Sequence, residues 1–377
     1  MVVTVRTFAA DRGWADPRPV VRDPRRTLIL VFGPSDLGDQ RAALEATLAG
    51  YPGAAIIGCS TAGEILGSTI HDETLVVTFV EFEKTDLVVA SAPVANGVES
   101  FAAGQQVARS LDRPDLKSVF VLSDGLAVNG SELVRGLNSV LPSTTIITGG
   151  LAGDGSRFQR TWVLDSGRVR PGYVTAVGFV GDAVRIGHGS RGGWDIFGPE
   201  RRVTRSEGNV LFELDGKPAL ELYKAYLGER ASGLPATALL FPLALRAEGE
   251  RRQLVRTILG VDESRQSMTF AGDIPEGSLA QLMSANFDRL IEGASSAAAA
   301  TKADPAEAPA LAIAISCVGR RLVLGERAEE EIEATSEGLP DGTTQVGFYS
   351  YGEISPFATG ACDLHNQTMT LTTISEA

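Results

Sequence analysis

The stretch TLILVFGPSDLGDQRAALEATLAGYPGAAIIGCSTAGEI, residues 27–65, decides the fold class. Residues 27–32 form a short unbroken apolar run, the pattern of a buried strand. Pro34-Ser35-Asp36 supplies capping chemistry, and 40–48 has helical spacing that ends at Gly50. Residues 54–58 are a second short apolar run, so strand, helix and strand follow one another as in an α/β unit.

Outward from this stretch the alternation continues. Residues 75–82 and 86–90 read as a hairpin across Glu83-Lys84-Thr85. Residues 100–111 read as a helix, 118–122 as a strand, 131–140 as a helix and 144–148 as a strand ending at Gly149-Gly150. From 160 to 186 the pattern turns to successive β segments, including 174–180. In the second half, 209–214 and 254–259 look like strands and 219–226 like a helix. A long helix is expected over 284–302, stopped by Pro305, and then the strongest buried strand of this half over 310–317. Residues 328–334 read as an acidic helix, and 346–350 and 368–373 as closing strands. The whole predicts an α/β (α+β) protein of two mixed-sheet domains. Pro199 and a cluster of arginines near 198–205 set the expected boundary, giving domains 1–200 and 201–377. No short-period repeat is visible, which argues against solenoids and propellers.

Composition narrows the function. The chain has 377 residues, with 34 basic against 47 acidic side chains and a formal charge of −13. That balance argues against a nucleic-acid groove or an anionic membrane surface, both of which need a basic face. The cysteines Cys59, Cys317 and Cys362 are odd in number and far apart, which suits reduced thiols. The amino-terminal residues lack an apolar signal core, and no apolar run approaches a membrane span. The expectation is a soluble, cytoplasmic protein.

Four glycine-bearing stretches hold the residues that can carry chemistry. In GCSTAGEI, 58–65, two glycines bracket small polar or thiol side chains and lead to a carboxylate. Such a loop can turn several N–H groups toward a ligand, with Ser60 and Thr61 as donors or acceptors and Glu64 facing a cation. A bolder reading makes Cys59 the nucleophile of a hydrolase or transferase. A tight connection with Cys59 buried as a small hydrophobe accounts for the same residues. TGGLAGDG, 148–155, lacks the Gly-Lys-Ser/Thr ending of a phosphate-binding loop, so ATP and NAD are disfavoured, and Asp154 either lines a pocket or sits in a plain connection. Ser123-Asp124-Gly125 lies where a β–α loop would meet a ligand. GFYSYGEISP, 347–356, with LHNQT, 364–368, brings Tyr351, Glu353 and His365 into a short span. That mixture suits a pocket with an apolar wall and polar anchors, or a core hairpin whose polar groups satisfy the backbone.

These motifs, with VT at 203–204 and NVLFELDGKPALELY at 209–223, resemble the FIST family, named for F-box and intracellular signal transduction proteins. The resemblance spans nearly the whole chain and implies an N-terminal FIST domain followed by a FIST-C domain. It implies a cytoplasmic sensory module, not an enzyme, that binds a small ligand, with amino acids a suggested class, and that acts on a partner such as a histidine kinase. The ligand would then meet Cys59, Ser60, Thr61, Glu64, Asp154, Tyr351, Glu353 and His365.

One segment departs from the general pattern. IGHGSRGGWDIFG, 186–198, looks more like the nitric-oxide-sensing branch of that family, whose members bind haem b. On that reading His188 is the axial ligand to the haem iron, and its flanking glycines leave room for a flat macrocycle. Trp194 and Phe197 pack on the porphyrin, while Arg191 or Arg201 pairs a propionate. The plainer reading has His188 hydrogen-bonded within a turn. No Cys-x-x-Cys-His occurs, which excludes covalent c-type haem, and the Cys and His spacings give no zinc set.

Overall fold

Apolar runs without alternation are needed where a strand is covered on both faces, and three such runs form the centres of three sheets. The computed structural model describes residues 1–9, 11–38, 40–234, 236–250, 253–302, 310–356 and 361–377. An edge strand β1 (Val2–Ala9) precedes the first unit, which consists of β2 (Thr27–Gly33), α1 (Gln40–Leu48), β3 (Ala55–Ser60), the hairpin β4 (Glu64–Leu66) and β5 (Thr69–His71), β6 (Thr74–Glu81) and β7 (Asp86–Pro93). After α2 (Ser100–Leu111) the second unit repeats the order: β8 (Leu116–Ser123), α3 (Gly130–Asn138), β9 (Ile146–Leu151), hairpin β10 (Val163–Asp165) and β11 (Arg168–Arg170), β12 (Tyr173–Val180) and β13 (Val184–Arg191).

An inserted sheet follows, built from β14 (Asp195–Glu207), β15 (Val210–Leu214), α4 (Ala219–Leu227), β16 (Leu243–Arg246), β17 (Leu254–Arg256), β18 (Ile258–Asp262), β19 (Ser267–Phe270) and β20 (Leu279–Ser284). The third unit comes after α5 (Phe287–Ala300). It comprises β21 (Leu311–Cys317), α6 (Val318–Leu324), α7 (Ala328–Glu337), β22 (Thr344–Ser350), hairpin β23 (Gly352–Pro356) and β24 (Cys362–His365), and β25 (Met369–Glu376). The protein is therefore of mixed α/β class with several mixed sheets.

The three units share one topology and exchange their edges. In each, two parallel strands are flanked by an antiparallel third: β3-β2-β6, β9-β8-β12 and β22-β21-β25. The hairpin of each unit leaves its own sheet and extends another. β4 pairs with β22, β10 with β3, and β23 with β9. The opposite edges are exchanged as well, because β7 lies on β12 and β13 on β25, while β1 lies on β6 and is itself covered by the short strand Gly13–Trp14. The three central strands of every core sheet thus have neighbours on both sides from elsewhere in the chain, which leaves none of them as an open edge.

The residues 75–82 and 86–90, expected as a hairpin, are consecutive strands of different sheets: β6 pairs with β1 and β2, and β7 with β12. The turn between them cannot satisfy its own backbone. The N–H groups of Glu83, Lys84 and Thr85 instead donate to the Glu376 carboxylate at 2.7, 2.8 and 2.7 Å. Burial opposes ionisation of Glu376, but these bonds and the Thr85 hydroxyl hold its pKa down to about 2. The expected strand 254–259 is divided between β17 and β18, at opposite edges of the inserted sheet. The change of composition near 198–205 falls inside β14. Pro305, expected to stop α5, lies outside the described residues. The long-period repetition of the units escaped the search for short periods, since about a hundred inserted residues separate the second and third copies.

Side chains on alternate positions of the central strands divide between two layers. Leu28, Leu30 and Phe32, Phe120 and Leu122, and Ile313 and Ile315 meet in a core shared by all three sheets, where the Phe32 and Phe348 rings lie 4.9 Å apart. The intervening residues face the helices: Ile29 and Val31 pack with Leu44 and Leu48 of α1, and Val119 and Val121 with α2 and α3.

One charged network fastens the third unit. Arg320 of α6 and Glu331 of α7 are both fully buried, with Nε and Nη2 donating to Glu331 Oε2 at 2.9 and 2.7 Å. Glu331 Oε1 accepts from Ser316 Oγ and Tyr349 Oη at 2.9 and 2.8 Å, and Arg320 also donates to the carbonyls of Leu290 and Gly192. Removing one partner of such a pair leaves a buried charge without compensation. Glu331→Ala is therefore expected to lower unfolding stability by about 3–5 kcal/mol, read as a shift of the urea midpoint, and a loss within error would contradict this account.

Candidate functional site

A cleft of about 760 Å³ opens beyond the carboxyl ends of β2 and β3, where open α/β sheets take their ligands. All three units line it: Pro34, Asp36, Leu37, Gly38, Gln40 and Thr61–Glu64 with Asp72 and Glu73 from the first, Gly155 and Arg157 from the second, and Arg321 from the third. The loop after β3 is fixed by main-chain bonds to both neighbours. Thr61 N–H donates to Gly33 O at 2.9 Å, Ala62 N–H to Tyr349 O at 2.8 Å, and Tyr349 N–H to Gly63 O at 2.9 Å. Gly63 has φ +130°, and a Cβ there would fall 2.4 Å from Arg321 Nη1, so only glycine lets the guanidinium pass. Arg321 uses that passage to donate to Ala62 O at 2.6 Å and forms a two-pronged pair with Asp72 at 2.9 and 2.7 Å. This pairing holds the Asp72 carboxyl below its usual range.

Two polar groups in the cleft have capacity to spare. Gln40 donates Nε2 to Glu73 O at 3.2 Å, but its Oε1 is buried with no partner. Arg157 donates Nη2 to Ser35 Oγ at 3.0 Å, which leaves most of its five N–H donors free of hydrogen bonds to protein. Arg160 reaches Asp36 at 3.4 Å on the rim. Gln40, Glu73 and Arg157 are not among the residues expected at the site, and Arg157 arrives from the second unit.

Glu64 is the buried centre of the loop. Thr61 Oγ1 donates to its Oε1, and Thr74 N–H to its Oε2 at 3.2 Å. Burial outweighs these bonds and pushes its carboxyl up to about 8. The third unit contains a twin. GCSTAGEI and GFYSYGEI share the pattern G-x-x-[ST]-x-G-E-I, a sequence signal of the internal repetition. Glu353 accepts from Ser350 Oγ at 2.6 Å through Oε1 and from Thr368 N–H and Oγ1 at 3.2 and 2.9 Å through Oε2, and burial likewise raises its carboxyl to about 8. Unlike Glu64, it does not line the cleft.

The other expected site residues are scattered. Cys59 is in the common core, where burial pushes its thiol well above the ordinary range, so the thiolate a nucleophile needs is disfavoured. Ser60 is also buried, its Oγ accepting from Trp162 N–H at 3.1 Å. Asp154 serves as an anchor: burial opposes its charge, but the Tyr351 hydroxyl and the N–H groups of Phe158, Gln159 and Arg160 bring its pKa below the ordinary value. It thereby shapes the loop that carries Arg157. Tyr351 stacks on Phe158 at 4.5 Å and faces a different cleft. His365 is buried on β24 against Glu353, its Nε2 2.9 Å from Ser355 O.

Residues 186–198 do not fit a haem slot. His188 is half-buried on β13, its Nδ1 is without a partner, and burial lowers its pKa, which favours the neutral ring. The space beside it is taken: a Cβ on Gly189 would come 2.0 Å from Ala297 O, and one on Gly187 2.3 Å from Thr301 O, so the glycines admit α5 rather than a macrocycle. Trp194 is buried, donating Nε1 to Gln367 O at 2.8 Å. Phe197 packs with Phe241 in the inserted domain's core, Arg191 is exposed, and Arg201 is paired with Asp215. Among the described residues no cluster of three or more His, Cys, Asp or Glu could hold a metal, and no helix is long and apolar enough to cross a membrane.

Glu64 and Glu353 carry a pH signature. Each has a folded-state pKa near 8 against 4.5 for the free side chain, so the folded protein keeps two protons that the unfolded chain releases. Their contribution is complete below pH 4.5 and is lost as pH rises toward 8, each proton adding a slope of up to about 1.4 kcal/mol per pH unit. The double variant Glu64→Gln, Glu353→Gln should flatten this fall in urea titrations, and an unchanged slope would refute the assignment.

The chain is similar to proteins known from elsewhere. An uncharacterized protein of Mycobacterium tuberculosis is 27% identical over 389 residues, covering 97% of this chain and 96% of its own. An uncharacterized protein of Methanocaldococcus jannaschii is 30% identical over 191 residues, which is 46% of this chain and 35% of that protein. The alignment with the archaeal relative thus spans about a third of its length. The crystal structure of a cyanuric acid hydrolase from A. caulinodans aligns with all of this chain and 99% of its own, at a TM-score of 0.37 and 8% identity. The FIST N domain matches residues 27–217 and the FIST C domain residues 219–356. The chain belongs to the FIST family, whose domains mark sensory modules of signal transduction.

Proposed function

We propose that this protein is a non-enzymatic sensor that takes a small zwitterionic metabolite, an amino acid or a close analogue, in the cleft beside Glu64. The observation that carries the reading is the cleft's composition. Arg157 offers unused cationic donors for a carboxylate, while Asp36, Glu73 and the unpartnered Gln40 Oε1 offer acceptors for an ammonium group. Glu64, held neutral by burial, adds hydrogen-bonding capacity without a second buried charge. Cys59 and Ser60 are buried and do not line the cleft.

Arg321 belongs to the FIST C domain and Thr61–Glu64 to the FIST N domain. A ligand between them favours the arrangement in which both sets of contacts are made, and that difference is what a signalling partner such as a histidine kinase would read. In a panel of amino acids at millimolar concentration, at least one should raise the melting temperature. Arg157→Ala should weaken that ligand by at least about tenfold through loss of a charge-assisted bond. A panel without any shift would overturn the reading. The alternative, haem b on His188 with nitric oxide as the signal, is decided by absorption of protein expressed with haem available. The metabolite reading expects no Soret band; a near-stoichiometric band lost in His188→Ala would replace it.

A further inference from the structure

A second cleft, of about 730 Å³, lies between α3 and the inserted sheet. Arg256 of β17 lines it, although this side chain is only 3% exposed. Its hydrogen bonds all go to main-chain carbonyls: Nε to Asp273 O at 3.1 Å, and Nη1 to Val255 O at 3.2 Å and Leu364 O at 3.1 Å. No carboxylate is hydrogen-bonded to it among the described residues, although the Asp273 carboxylate acts on it at longer range and Asp363 lines the same cleft, and Nη2, which has no protein partner, is not among the sealed unpartnered atoms. An arginine buried to this extent ordinarily has an anion against it. Burial lowers its pKa only to about 10, so it remains a cation at neutral pH.

The rest of the cleft specifies the anion. Leu245 and Leu254, paired across β16 and β17, form an apolar wall with Pro275. At the rim, Glu248 is paired with Arg202 at 2.9 Å and Glu276 accepts Ser206 N–H at 3.0 Å. The lining sets five carboxylates, Glu248, Glu250, Asp273, Glu276 and Asp363, against Arg135, Arg246 and Arg256; that balance disfavours nucleotides and other polyanions, whereas a single carboxylate on an apolar body satisfies both the free guanidinium edge and the leucine wall. We propose that this cleft is a second ligand site, taking a small monocarboxylate with an apolar chain whose carboxylate is held by Arg256 Nη2. It is separate from the cleft beside Glu64 and does not depend on the function proposed for it.

The test uses the full chain and hexanoate as the probe, with acetate as the short-chain comparison, by titration calorimetry. Hexanoate should bind saturably and more tightly than acetate. Arg256→Lys, which keeps the charge but not the planar fork, should weaken hexanoate by at least about tenfold. Leu254→Asp, on a half-buried wall position, should abolish binding by placing a carboxylate in the cleft, and it decides the matter if the arginine variant does not fold. Arg157→Ala should leave hexanoate binding unchanged, which separates the two sites. Absence of saturable hexanoate binding, equal affinity in Leu254→Asp, or loss in Arg157→Ala would each overturn the proposal.

Discussion

The exchange of edge strands is the constraint on which the rest of this structure depends. Each core sheet has only three strands of its own, and a three-stranded sheet with bare edges is a template for aggregation. The units solve this by lending hairpins and trailing strands to one another, and the Glu376 carboxylate fastens the turn where β6 hands over to β7. A unit that donates its hairpin also carries its glycine-rich loop across the border. The loop after β3 therefore bonds to β22 through Ala62 and Gly63, and a cleft lined by all three units follows from the topology.

The same repetition yields two carboxyls that are kept neutral by burial, and they differ in what surrounds them. Glu353 is enclosed by Ser350 and Thr368 and serves packing, with its polar atoms satisfied internally. Glu64 has the corresponding bonds but stands at the wall of an open cleft, where Arg321, Asp72 and Arg157 surround it. A neutral carboxyl accepts and donates hydrogen bonds without adding charge to a site already rich in it. One motif thus gives two buried carboxyls, of which Glu64 lines the cleft and Glu353 does not, and the difference lies in the neighbours, not in the motif.

Much of the fold was legible in local patterns. The run 27–32, the helix 40–48 and the strand 310–317 emerged nearly as read, because unbroken apolar runs and helical spacing are properties of a few adjacent residues. Of the polar residues that the sequence places in the GCSTAGEI loop, Thr61 and Glu64 line the cleft. Cys59 and Ser60 do not, since alternation and the pairing of β3 with β10 direct them into the interior. His188 shows the same limit: glycines that leave room in a sequence are, in the fold, the surface on which α5 rests.

What the sequence determined by itself was therefore the kind of each segment, the family to which its motifs belong, and the position of one loop. Tertiary structure decided which strands pair, that consecutive strands β6 and β7 part company, and that Arg157 and Arg321 meet Glu64 from units far along the chain. The physical reason is one of range. Periodicity and turn chemistry act over a few residues, whereas edge pairing, burial and the pKa of a carboxyl depend on whatever the fold brings within a few ångströms.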